Sequence, residues 1–497
     1  MMTDSLMKCK FLLYIIIYAG LSACTKPEVP EDFRDDGLTA DIYPDYADVT
    51  VPRNIAPLRF HIEEQAQQFV SQLSSGIVVC TFQGQDVCPS RKQWEQLRNA
   101  SSTINVEIYL QDKEGWKRKK PFSIWISADE IDPYLAYRLI SPSYVTYEDL
   151  TICQRRLSDY QEKVIYGNMI NSTEKDAQCI NCHAFQQQNP RRMQFHVRQH
   201  LGGTVISYDG QTRKVDLKTD SVLSAGVYPA WHPTEQLIAY STNLTTQAFH
   251  TLDLNKVEVQ DTQSALMLYD IAQNKVIPLP SDNCDLDCFP CWSPDGQWLY
   301  YCSAKYETND SLPRSTDILL NYEALKYNLY RRSFDTGKNT FGPKELVYDA
   351  AVIGQSATLP RISPDGRWLM FTQGAYGVFH IWHNDADLYL IDLQNGNCRI
   401  AEEINSPQVE SYHSWSSNGK WVVFSSRRDD GNFTRPFFAH FDNEGSMTKP
   451  FELPSEEPEY HRQLMRSYNV PEFIVGPVEV SPQELAEIIK QDAVKSQ

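Results

Sequence analysis

The chain is 497 residues long and lacks most of the signatures by which a sequence declares an activity. It has no Gly-x-Ser-x-Gly elbow, no His-Glu-x-x-His and no glycine loop able to cradle a phosphate, so three large classes of catalyst are without their usual residues. Positive charge is also short. Lys and Arg number 46 against 64 Asp and Glu, and a net charge of -18 argues against nucleic acid, whose phosphates would be repelled. After the first two dozen residues no apolar run is long enough to cross a bilayer. What remains is a globular body, 41% hydrophobic, with material for two or more cores.

Against these absences one motif stands out. Cys179-Ile-Asn-Cys182-His183 is the attachment pattern of a c-type haem: the thiols add to the two vinyl groups, and the adjacent imidazole ligates the iron. The competing readings are a zinc half-site, a redox dithiol, or a disulfide beside an incidental histidine. For the far side of the iron the sequence offers Met193 as the first candidate distal ligand and His196 as the alternative, with His200 further on. Arg191, Arg192 and Arg198 are candidates to meet the haem propionates, or an exposed basic patch. Ser172 or Thr173 is expected to cap a short helix carrying Glu174 and both cysteines.

The start of the chain agrees with a haem attached outside the cytoplasm. Lys8 and Lys10 precede the apolar run Phe11–Tyr18, and Leu21-Ser22-Ala23-Cys24 resembles a bacterial lipobox, in which the signal is cut before the cysteine and Cys24 takes the lipid. The expectation is an extracytoplasmic protein lipid-anchored in the cell envelope, on the periplasmic side or at the outer membrane, with residues 24–47 as a tether. Export also suits the twelve cysteines. Setting aside Cys9, Cys24, Cys179 and Cys182 leaves eight; Cys80 and Cys88 bracket a turn and suggest a disulfide-closed hairpin. Cys284, Cys288 and Cys291 are placed for a metal or, preferably, for disulfides.

Between 48 and 165 short alternating segments predict a small β-sandwich of immunoglobulin or fibronectin-like type, followed by a haem-binding segment over 166–200. From 201 a repeat appears. Its copies begin at Pro229, Pro290, Pro360 and His413, spaced by 61, 70 and 53 residues, and each is a strand, a Ser-Pro-Asp-Gly-like turn and a second strand. This is blade spacing, and it predicts a mainly β fold with a β-propeller over 201–480. Ser481-Pro482 with Leu485, Ile488 and Ile489 predicts a C-terminal helix over 481–497.

The repeats resemble the TolB-type propeller family, in which six blades are usual. The full chain is similar to a group of Gram-negative lipoproteins that join one haem motif to such a propeller; the shared features include Asp132–Arg138, Asn181-Cys182-His183, Met193, Gly202–Val205, Ser425–Gly431 and Tyr468–Phe473. That resemblance implies no reaction. Two functions are therefore expected from the sequence, neither enzymatic. The first is electron transfer through one haem c, with the propeller docking a protein redox or envelope partner. The alternative is a binding or sensor protein whose haem is structural or ligand-sensing. Arg427–Asp430, His250, His380 and His383 are weaker candidates for a ligand site at a propeller mouth.

Overall fold

The computed structural model describes residues 27–141, 149–173, 175–250, 252, 255, 257–308 and 311–497. The signal segment, Cys24 and Glu174 lie outside the described residues. None of the described helices is long and apolar enough to cross a membrane.

The Ser-Pro-Asp-Gly turns explain how the blades are built. Ser293, Ser363 and Ser416 each accept a hydrogen bond on Oγ from the backbone N–H five residues on, at 3.0, 2.9 and 2.9 Å. The following glycines take the left-handed conformation, φ +70° at Gly296 and +76° at Gly366, which side chains resist. Each such turn joins an innermost strand to the next one out. Strand pairing then gives three four-stranded sheets, a five-stranded one to which Val494–Lys495 adds an outer strand, and a nine-stranded one that holds two successive groups of strands, six groups in all. Five run outward in chain order, from innermost strands Gln178–Phe185, Val227–Trp231, Asp285–Trp292, Ser356–Ile362 and Glu410–Trp415 (blades 2 to 6).

Blade 1 is made from both halves of the chain. Its outer strands are Tyr134–Ile140, Thr151–Arg156 and Glu162–Gly167, and its innermost strand is Ser467–Ile474, paired antiparallel to Tyr134–Ile140. Ser467–Ile474 also lies beside the innermost strands of blades 6 and 2, which closes the ring. The mainly β propeller of the sequence reading is thus present, but it begins at Tyr134 rather than 201 and ends with residues far from its start. The segment 134–165, read as part of the N-terminal domain, pairs instead with the propeller's last strand.

The haem-binding segment is corrected in the same way. Residues 178–185 and 192–199 are the first two strands of blade 2, not a capped helix, because Ile180, Phe185, Phe195 and Val197 alternate into one core with Val205 and the C-terminal helix. That helix, Pro482–Lys490, is capped by Ser481 and buries Leu485 and Ile489 as its spacing predicts.

The N-terminal unit starts earlier than expected. Arg34–Thr39 is already a strand, and Ile42 and Tyr46 are buried, so the tether over 24–47 is corrected: its second half folds. A seven-stranded sheet and a three-stranded one share a core with the helix Arg91–Ala100, whose Trp94 and Leu97 point inward. Trp421, Phe438 and Phe473 of the propeller belong to the same core. The expected hairpin disulfide is also corrected. Cys80 and Cys88 are free, Cys80 sitting on a strand of the large sheet while Cys88 follows the edge strand of the small one. All ten described cysteines are free thiols.

Candidate functional site

Each innermost strand carries the same irregularity. Two residues bulge out of the ladder, and the first has positive φ: Cys182 (54°), Tyr228 (50°), Phe289 (51°), Leu359 (54°), Tyr412 (45°) and Val470 (50°). Such backbone is uncommon outside glycine, and bulges re-aim side chains. Cys182-His183 is the bulge of blade 2. His183 therefore stands where the other blades have Pro229, Pro290, Pro360, His413 and Pro471.

The next residue of each strand, Ala184, Ala230, Cys291, Arg361, Ser414 and Glu472, faces a cavity of about 930 Å³ on the propeller axis. Cys182, His183 and His196 line it too. The long hairpin of blade 3, Leu237–Phe249 and Val257–Asp270, contributes Asn243, Thr245, Gln247 and Val259 to the wall.

His183 is 4% exposed; its ring meets the Val470 backbone carbonyl, but neither nitrogen makes a hydrogen bond of ordinary geometry. Burial, aided by the Arg138 charge, lowers its pKa to about 3, so the imidazole is neutral. Arg138 bonds Asn181 Oδ1 through Nη1 and Asn469 Oδ1 at 3.1 Å through Nη2, tying the haem-motif strand to the closing strand. The Cys182 carbonyl accepts from Gln194 Nε2, and Gln194 Oε1 accepts from the Tyr240 hydroxyl at 3.3 Å. Cys179 is half-buried and accepts on Sγ from Asn181 Nδ2 at 3.1 Å; it does not reach the cavity wall.

The two distal candidates separate. His196 is opposite Asn181 on the neighbouring strand, its Nδ1 shares a hydrogen bond with Thr204 Oγ1 at 2.7 Å, and its Nε2 is buried without a partner. Met193 is 2% exposed in the core between blade 2 and the C-terminal helix, away from the cavity wall. Of the arginines, Arg192 is held by Asp209 at 2.7 Å, while Arg198 lines the cavity.

The weaker candidates have structural partners. His383 Nε2 bonds Glu258 at 3.1 Å, and Glu258 also accepts from the Tyr376 hydroxyl at 2.8 Å, which docks the blade 3 hairpin on blade 5. His380 is engaged through both nitrogens by Thr358 and Tyr376, and His250 stands 3.8 Å from Glu258. Arg427 stacks on Trp382 and Arg428 pairs with Glu410. Cys288 faces Cys302 across the sheet, away from Cys284.

Two groups in the wall escaped the sequence reading. Glu472 lines the cavity; its Oε1 accepts from the Phe185 N–H at 3.1 Å, and desolvation raises its pKa to about 8. Arg361 stands at the matching place of blade 5. Aligning the bulges would have found both.

No family model matches the chain, and no curated protein does. Solved structures similar to it are large hydrolases. The tricorn protease aligns over 72% of this chain and 33% of its own, at 11% identity and a TM-score of 0.35. A puromycin-hydrolysing peptidase of Mycobacterium tuberculosis gives 72% and 52%, at 12% and 0.35, and a GH74 enzyme of Niastella koreensis gives 64% and 55%, at 11% and 0.35. The chain spans between a third and about half of these proteins' lengths.

The shared feature is a β-propeller.

At these identities no substrate or reaction carries over. The named neighbours are peptidases and glycoside hydrolases and none is a cytochrome, so the expected electron-transfer or sensor role without enzymatic activity finds no support among them. Among the described residues no three of His, Cys, Asp and Glu gather to hold an ion, so the alternative reading of Cys284, Cys288 and Cys291 as a metal cluster finds no site.

Proposed function

We propose that the axial cavity is the active site of an enzyme that carries one haem c. The observation that carries the reading is His183, a buried neutral imidazole at the wall of a large cavity whose ring makes no well-formed hydrogen bond, the Val470 carbonyl being its one near acceptor. A buried polar group without a partner costs about 1–3 kcal/mol, which a bound iron would offset. A porphyrin supplies four of the iron's ligands itself, so one or two protein side chains suffice where three are not found. The free thiols of Cys179 and Cys182 would hold the group, although only Cys182 already faces the cavity.

When bound, the haem supplies redox chemistry at iron. The chain's own residues do the rest. His196 has the arrangement of a ligating histidine, one nitrogen oriented by Thr204 and the other free. Glu472 keeps its proton up to about pH 8, and with Oε1 occupied by the Phe185 amide the proton sits on Oε2, ready for a substrate in the cavity. As part of the same reading, the enzyme is anchored through lipid on Cys24 outside the cytoplasm, facing envelope partners.

The test is production of the full chain with haem-maturation machinery, followed by haem staining under denaturing conditions and optical spectra. Covalent haem whose spectrum changes in His183→Ala is the expected result. A chain that leaves the machinery without covalent haem overturns the reading.

A further inference from the structure

We propose that the axial cavity contains a subsite for a carboxylate-bearing ligand, centred on Arg361 and completed by Arg138. The inference builds on the reading of this cavity as the active site and adds the chemical class of what it takes. Its charged lining is Arg138, Arg198, Arg361, Asp216 and Glu472. Three guanidinium groups therefore share the wall with two carboxylates, a surplus of positive charge in a protein whose net charge is -18.

Arg361 forms no salt bridge among the described residues; its Nη1 donates to the Pro360 carbonyl at 3.0 Å, and its side chain also meets the Cys291 thiol. Arg138 bonds two neutral side-chain amides, and its Nε is buried without a partner. Both arginines are partly buried, and a planar guanidinium matches a carboxylate two bonds at a time. In a low-dielectric pocket these charges draw an anion that the outer surface repels. The shared chemistry is the carboxylate, which either a haem propionate or a separate substrate presents.

Succinate is the probe, titrated calorimetrically at low ionic strength into the full chain made with and without haem-maturation machinery. The expected result is saturable binding to the haem-free chain that weakens at least tenfold in Arg361→Gln, survives partly in Arg361→Lys, and falls with added salt. Arg361→Ser, which copies Ser414 at the same place in blade 6, gives a second charge-removing variant if Arg361→Gln does not fold. Binding that persists after haem attachment assigns the subsite to substrate; binding confined to the haem-free chain assigns it to the propionates. Succinate binding that is absent, or unchanged in folded Arg361→Gln and Arg361→Ser, overturns the proposal. Failure of haem to attach leaves the Arg361-dependent titration intact, so the two readings fail separately.

Discussion

His183 and His413 occupy the same bulge position in blades 2 and 6, yet only His413 makes a well-formed ring hydrogen bond within the protein. His413 Nε2 donates to the Met370 carbonyl of the adjacent blade at 2.9 Å, while its Nδ1 stays without a partner; His183 meets the Val470 carbonyl only outside that geometry. The same backbone device thus produces a structural histidine in one blade and an available one in the other.

That difference predicts the spectra of a haem-loaded chain. His196→Ala should perturb the optical spectrum while Met193→Leu leaves it unchanged, since Met193 packs in the core. Met193→Ala should instead lower stability, by about 2–5 kcal/mol, read from denaturant melts. A spectrum that follows Met193 and ignores His196 would reverse the assignment.

Glu472 sets a pH dependence. Its folded-state pKa of about 8 lies above the ordinary 4.5, so the folded chain holds this proton more tightly than the unfolded chain. Stability from this group is full below about pH 4.5 and is lost as pH rises through about 8. Asp429 and Glu452, each raised to about 7 by burial, act in the same sense. Glu472→Gln should therefore flatten, without abolishing, the fall in melting temperature between pH 5 and 8.5, an effect on the order of a few kcal/mol. Identical slopes in the two proteins would show that Glu472 titrates normally.

Gly296→Ala should destabilise for two reasons. The residue has φ +70°, and an added Cβ would come within 2.4 Å of the His232 ring, which bonds the Gly296 carbonyl at 3.1 Å. A loss of roughly 1–3 kcal/mol is expected from thermal or urea unfolding. Gly354→Ala is the control: it also has positive φ, at +74°, but open space around it, and should cost less.

Closure of the ring by Ser467–Ile474 predicts that Phe473→Ala is among the costlier substitutions, at about 3–5 kcal/mol. Phe473 lies in a core shared by the N-terminal unit and the propeller, so both should unfold in one transition. Two separated transitions in calorimetry would show the units to be independent.

Local patterns made much of this protein legible from residues alone. Alternating strands and Ser-Pro-Asp-Gly turns encode a blade within about fifty residues, and a capped amphipathic stretch encodes the last helix, because turn geometry and face burial depend on near neighbours. Cys179-Ile-Asn-Cys182-His183 announced a candidate site but misled about its conformation, since the same five residues also carry the strand alternation that buries Ile180. What only the tertiary structure decided was long-range. Pairing of Tyr134–Ile140 with Ser467–Ile474 joins segments more than three hundred residues apart, which no local period records. It places Arg138 beside Asn181 and Asn469 and brings Arg361 and Glu472 around His183, because ring closure, rather than sequence proximity, sets which side chains face the axis.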